Sequence, residues 1–214
     1  MEKFKIITMS QFNRAEHFQY FMSVGTVIEL TSKINVTGAV EKCREEKISF
    51  QSYMLYSMYK VINTIDAFKY DLVDGVVIQW DQIVPTFSAF DSDKGLFYTI
   101  FADMGEGYPE YHINYTKTLN QYAHYSAMVP QGHLPKNAFN VSSIPWLHFD
   151  HFSSNSKSME SNIVKMITLG KYEAINGQYL MPVTMQVSHA IADGYHVALF
   201  YDRLQKKLDR SVSE

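Results

Sequence analysis

One cysteine, Cys43, stands alone among 214 residues, so no disulfide can close within the chain and the paired-cysteine framework of small secreted domains is missing. A reducing cytoplasm is the expected compartment. No apolar run approaches the ~20 residues needed to span a bilayer, and Met1 to Ile7 holds no extended apolar stretch. The chain is therefore expected to be soluble and not exported. An excess of one charge is missing too. The 19 Lys and Arg against 22 Asp and Glu leave a formal net charge of -3, with no basic cluster for nucleic acid or an anionic membrane. Neither partner is expected. G-x-x-x-x-G-K-[ST], G-x-G-x-x-G and G-x-S-x-G are all absent, which removes phosphate-cradling loops and serine-hydrolase elbows. His148, Asp150 and His151 lie close together without further ligands at a motif spacing, so no metal is expected.

What is present is a folding chain. Hydrophobic residues make up 46% and aromatic residues 14%, far from the composition of disorder. No repeat or Pro/Gly/Ser linker divides the sequence, so residues 1–214 are read as a single domain. Helices are predicted over 16–24 and 37–46. A third, over 50–65, begins at a Ser49 cap and carries Met54, Leu55, Met58, Val61 and Ile62 on one face. Further helices are predicted over 110–126 and 195–208. Strand character marks 27–34, 86–90, 97–103 and 162–172. Asp74-Gly75 and Asn176-Gly177 each read as the turn of a hairpin, because both positions of a type I′ turn need positive φ. Strands and helices mix without strict alternation, which indicates an α/β fold with a mixed sheet.

The strongest chemical signal is Gln186-Val187-Ser188-His189-Ala190-Ile191-Ala192-Asp193-Gly194, a His and an Asp four residues apart at a strand-to-helix junction. The strand end fixes the His backbone, and Gly194 permits a turn that a Cβ would obstruct. Asp193 can anchor the turn through a charged partner. His is the side chain best suited to a general base near neutral pH, so His189 is the catalytic candidate. Taken alone, the same residues also suit a His satisfying a strand-end carbonyl with Asp193 capping the next helix.

Gln186 to His196 resembles the C-terminal signature of the chloramphenicol acetyltransferases, Q-V-H-H-A-x-x-D-G-[FY]-H, with Ser188 in place of the first His. Asn140-Val141-Ser142-Ser143-Ile144-Pro145-Trp146 is similar to that family's N-[IV]-S-x-x-P-W segment. Asn13-Arg14-Ala15-Glu16-His17-Phe18 is similar to its [HN]-R-x-E-[HY]-F. The resemblance spans about residues 12 to 208.

It implies a CoA-dependent acyltransferase-like fold, a two-layer α/β sandwich assembled as a homotrimer with active sites at the subunit interfaces. It implies that acetyl passes from acetyl-CoA directly to a hydroxyl of chloramphenicol, inactivating the antibiotic. His189 would be the base and Ser142 the oxyanion donor, while Arg14 paired with Asp193 would support the loop bearing the His. Phe21, Phe90, Phe152 and Thr168 fall where the family contacts the antibiotic. Lys171 and Tyr172 are the candidates for holding coenzyme A. Ser154 departs from the family's usual Leu and, with Ser153 and Asn155 to Ser158, makes that loop more polar. An acetyltransferase of the same fold acting on another alcohol, or a relative that binds a small ligand without chemistry, are the alternatives. Cys43 receives no role.

Overall fold

The computed structural model describes residues 3–125, 127–154 and 163–210. Among the described residues, five α-helices and ten strands form two sheets and a helical layer. The principal sheet runs in the order β2 (Val27–Asn35), β10 (Gln178–Ser188), β8 (Lys165–Gly170), β7 (Ala138–Ile144), β5 (Val84–Asp91) and β6 (Leu96–Ile100), with β9 (Glu173–Ile175) pairing β10. It is mixed: β5–β7 and β7–β8 are parallel, the other pairs antiparallel. A smaller sheet joins β1 (Phe4–Ile6), β4 (Val76–Trp80) and β3 (Tyr70–Val73). The helices are α1 (Ala15–Val24), α2 (Thr37–Glu45), α3 (Phe50–Ile62), α4 (Tyr108–Tyr122) and α5 (Gly194–Arg210).

Local chemistry explains most boundaries. Ser49 Oγ accepts the Ser52 N–H and starts α3, whose Met54, Leu55, Met58 and Ile62 are almost wholly buried. Each such side chain is worth roughly 1.5–3 kcal/mol of burial. The helix stops three residues before the expected end because Asn63 pairs sideways, exchanging hydrogen bonds with both the N–H and the carbonyl of Ile83 at 2.8 Å. Both expected hairpin turns are present, Asp74-Gly75 at φ 50 and 76 and Asn176-Gly177 at φ 51 and 78.

Elsewhere the sequence pattern overran. β6 ends at Ile100, since the Phe101 N–H donates to Gln131 Oε1 at 2.8 Å and its carbonyl accepts from Gln131 Nε2 at 3.0 Å, in place of strand partners. Strand β8 ends at Gly170, since the Lys171 N–H turns to Leu147 O at 2.9 Å. Helix α4 occupies 108–122, with Pro109 in the first turn where no N–H is required. Ser126, Asn162 and Asn155 to Ser158, which entered the readings above, lie outside the described residues.

One core cluster runs from Phe12 to Leu208 and joins α2, α3 and α5 to the inner face of the principal sheet. An ion pair that no motif announced ties the two sheets together. Lys165 Nζ lies 2.8 Å from Asp71 Oδ2, the oxygen that also accepts Trp80 Nε1–H at 3.0 Å, and the Lys165 side chain is 3% exposed. Among the described residues no helix is long and apolar enough to cross a membrane.

Candidate active site

His189 immediately follows β10. Its N–H is held by Thr26 O at 2.9 Å, and its ring lies flat on Phe21, with centroids 3.7 Å apart and planes at 16°. Phe21 reaches that position because α1 closes on Gly25 in the left-handed region, φ 66, and turns at once into β2. His189 Nδ1 lies 2.9 Å from Ala192 O. A carbonyl oxygen only accepts, so Nδ1 carries the proton and Nε2 presents a lone pair, the tautomer that a general base needs.

Arg14 secures the loop after His189 as a fork. Nη2 donates to His189 O at 3.0 Å, Nε to Ala190 O at 3.0 Å, and Nη1 to Asp193 Oδ2 at 2.9 Å. Asp193 also caps α5, accepting the Tyr195 N–H at 3.1 Å. Burial pushes the Asp193 carboxyl up, but hydrogen bonding to Arg14 and the neighbouring His196 outweigh it and hold the group below its ordinary value.

Ser142 stands elsewhere. It registers with Thr168 on β8, Thr168 with Thr184 on β10, and Thr184 with Thr31 on β2. His189 is five residues beyond Thr184 and two strands away from Ser142. At ~3.3 Å per residue and ~4.8 Å per strand the two Cα atoms are roughly 19 Å apart. The candidate base and the candidate oxyanion donor do not meet within one chain. Phe21 and Ser188, beside His189, line a cleft of about 720 Å³. Ser142 lines a second cleft of about 560 Å³ with Gln51, Ser88, Ser143, Phe97 and Trp146.

Of the other candidates, some join one of these two places and some lie outside both. Phe21 is with His189. Phe90 lines the Ser142 cleft, its ring edge-on to Trp146 at 4.8 Å. Thr168 is fully buried beside Ser142, with an Oγ1 that finds no partner among the described residues. Phe152 packs near Phe149 at 6.0 Å, and Phe149 itself presses on Gly170, where an added Cβ would come within 2.7 Å of the ring. Tyr172 meets Phe50, the residue before Gln51, at 5.4 Å, and Lys171 is exposed next to it.

Ser154 spends its polarity inside the chain: its hydroxyl donates to Gln186 Oε1 at 3.3 Å, and its carbonyl accepts Gln186 Nε2–H at 3.0 Å. His148, Asp150 and His151 turn to three different partners: Lys171 O, Lys33 and Thr31. Burial, with a smaller contribution from Glu46, raises the Cys43 thiol to about 11, so it stays protonated at neutral pH. Gln51 and Ser88 line the Ser142 cleft without belonging to any motif, because a lone amide in a helix and a hydroxyl on a strand carry no sequence signal, and Ser143 falls at an unspecified position of the Asn140–Trp146 segment.

The family model for chloramphenicol acetyltransferase matches residues 2–205. Among curated relatives, "Chloramphenicol acetyltransferase 2" of Haemophilus influenzae is 32% identical over 207 residues, covering 96% of this chain and 97% of its own. "Chloramphenicol acetyltransferase 3" of Escherichia coli is 30% identical, covering 90% and 91%. A solved chloramphenicol acetyltransferase superposes with a TM-score of 0.88 at 21% identity, covering 97% of this chain and all of the other, so the fold is the same.

Proposed function

The chain belongs to the chloramphenicol acetyltransferase family, and on that premise we propose that it transfers acetyl from acetyl-CoA to a hydroxyl of chloramphenicol by general-base catalysis. The observation that carries the mechanism is the imidazole of His189, locked through Nδ1 to Ala192 O and through its face to Phe21, with Nε2 left as the basic atom. His189 removes the proton of the acceptor hydroxyl as the oxygen attacks the thioester carbonyl carbon. Ser142 donates its hydroxyl hydrogen to the oxyanion of the tetrahedral intermediate. The intermediate collapses, the carbon–sulfur bond breaks, and the thiolate takes the proton that His189 held. Arg14 and Asp193 hold the loop and move no proton.

The reading includes a homotrimer whose sites lie between subunits. Two features support it. His189 and Ser142 are too far apart to share one oxyanion within a chain. Each also lies beside exposed apolar side chains, Tyr20, Val24 and Val27 near His189 and Phe90, Phe97 and Trp146 near Ser142. Coenzyme A suits the Ser142 cleft. Its walls, Phe97, Leu119 and Trp146, fit an extended pantetheine arm, and Lys171 and Tyr172 flank the same loop for its polar end. We take residues 1–214 as one domain because one core reaches from Phe12 to Leu208, and we place the protein in the cytoplasm, where acetyl-CoA is found and a lone buried thiol is stable. A host carrying it is expected to resist the antibiotic.

The test is product identity. Incubation with acetyl-CoA and chloramphenicol is expected to give chloramphenicol carrying one O-acetyl group, measured by mass spectrometry. Unmodified chloramphenicol after prolonged incubation, with another alcohol acetylated under the same conditions, would move the acceptor elsewhere and leave the acetyl chemistry in place.

A further inference from the structure

We propose that Gln51 is a positioning residue for Ser142, holding the strand that bears it across the gap between β5 and β7; the proposal rests on the acetyl-transfer reading above. The β5–β7 ladder runs from Val84 opposite Ala138 to Phe87 opposite Val141 and ends there, whereas β7 stays paired with β8 as far as Ile144 opposite Gly170. From Ser142 onward β7 therefore has a strand on one side only. On its other side lies the cleft bordered by Ser88, Ser142 and Ser143.

Two side chains cross that gap. Ser88 Oγ accepts the Ser143 N–H at 3.1 Å, in place of the missing ladder bond. Gln51, in the first turn of α3, places Nε2 3.3 Å from Ser88 O and 3.4 Å from Ser143 Oγ. The neighbours dictate which way the carboxamide faces. Ser88 O only accepts, so the atom facing it is the NH₂, and Oε1 must turn to the Tyr115 hydroxyl, which donates to it at 2.9 Å. Burial raises the Tyr115 phenol, so it keeps its proton throughout the working range.

The chain Tyr115–Gln51–Ser143 thus anchors β7 to helices α3 and α4 at the point where its neighbour strand departs. Successive residues of a strand point to opposite faces, so holding Ser143 from the helical side sets the backbone that aims Ser142 to the other. An oxyanion donor contributes fully only when it is aimed before charge develops, and small misplacements of such a group are costly in rate.

The experiment compares Gln51→Met, which keeps the bulk and removes both polar ends, in the unsubstituted protein and in Ser142→Ala, following acetylation of chloramphenicol by thiol release. In the unsubstituted background kcat is expected to fall about tenfold with the KM for chloramphenicol within about twofold. In Ser142→Ala the same change is expected to cost less than about twofold, because the group it aims is gone. Tyr115→Phe, which frees the carboxamide to turn, gives a milder loss with the same dependence on Ser142 and serves if Gln51→Met does not fold. Unchanged kcat in both variants overturns the proposal, as does an equal fractional loss with and without Ser142. So does a raised KM for acetyl-CoA at constant kcat, which would make Gln51 a donor contact. Failure of the underlying reading is distinct: the unsubstituted protein then releases no thiol with chloramphenicol, and both ideas fall.

Discussion

Asp193 sits between opposing influences, and their balance fixes how the protein responds to acid. Burial alone would raise its carboxyl, but the Arg14 guanidinium at 2.9 Å and the nearby His196 hold it below the ordinary value. A group depressed in the folded state stabilises above its unfolded value of about 3.9 and loses that contribution as pH falls through the lower folded value. Asp193→Asn is therefore expected to lower stability at neutral pH and to flatten the acid limb, measured as urea midpoints between about pH 2 and 6. A mutant whose midpoint fell with acid as steeply as the parent's would show that the pair contributes nothing to it. The His189–Asp193 spacing was legible in the sequence, because a strand-end His and a helix-capping Asp are bound by local geometry. The tautomer was not, since it depends on where the Ala192 carbonyl points.

The elements were legible wherever a cap or turn residue marks the boundary, as at Ser49 and the two Asx-Gly hairpins. They were misjudged wherever a distant side chain ends an element, as Asn63 does for α3 and Gln131 does for β6. Strand β7 was legible only as a motif. Asn140, Ser142 and Ser143 have weak strand preference, and parallel neighbours create the strand, β8 as far as Ile144 and β5 only as far as Val141. The Lys165–Asp71 bridge between the sheets was invisible for the same reason, with partners 94 positions apart. Burial lowers the Lys165 ammonium despite the opposing carboxylate, so the pair is costly to split. Lys165→Met is expected to cost about 3–5 kcal/mol by stranding Asp71, whereas Lys165→Met with Asp71→Leu should recover most of it. Urea unfolding of both variants decides this. A double mutant no more stable than the single would show that the loss comes from packing around Lys165 and not from the stranded charge.

At the scale of the whole molecule, the decisive feature is that the candidate base His189 and the candidate oxyanion donor Ser142 lie roughly 19 Å apart in one chain. Sequence motifs name His189 and Ser142 but say nothing of which copies supply them. In a trimer of the 24.7 kDa chain, refolding equal amounts of His189→Ala and Ser142→Ala proteins together is expected to restore about a quarter of the unsubstituted activity. Each mixed trimer then holds one interface where an intact His189 faces an intact Ser142. No recovery in mixed trimers verified by mass would place both residues in one chain's site and overturn the interface model. The central claim, that His189 is the base of a chloramphenicol acetyl transfer, is tested most directly by thiol release from acetyl-CoA in the presence of chloramphenicol, with folded His189→Ala beside the unsubstituted protein. The expected result is rapid release that falls by about 10³-fold or more in the mutant. A mutant within tenfold of its parent would contradict it.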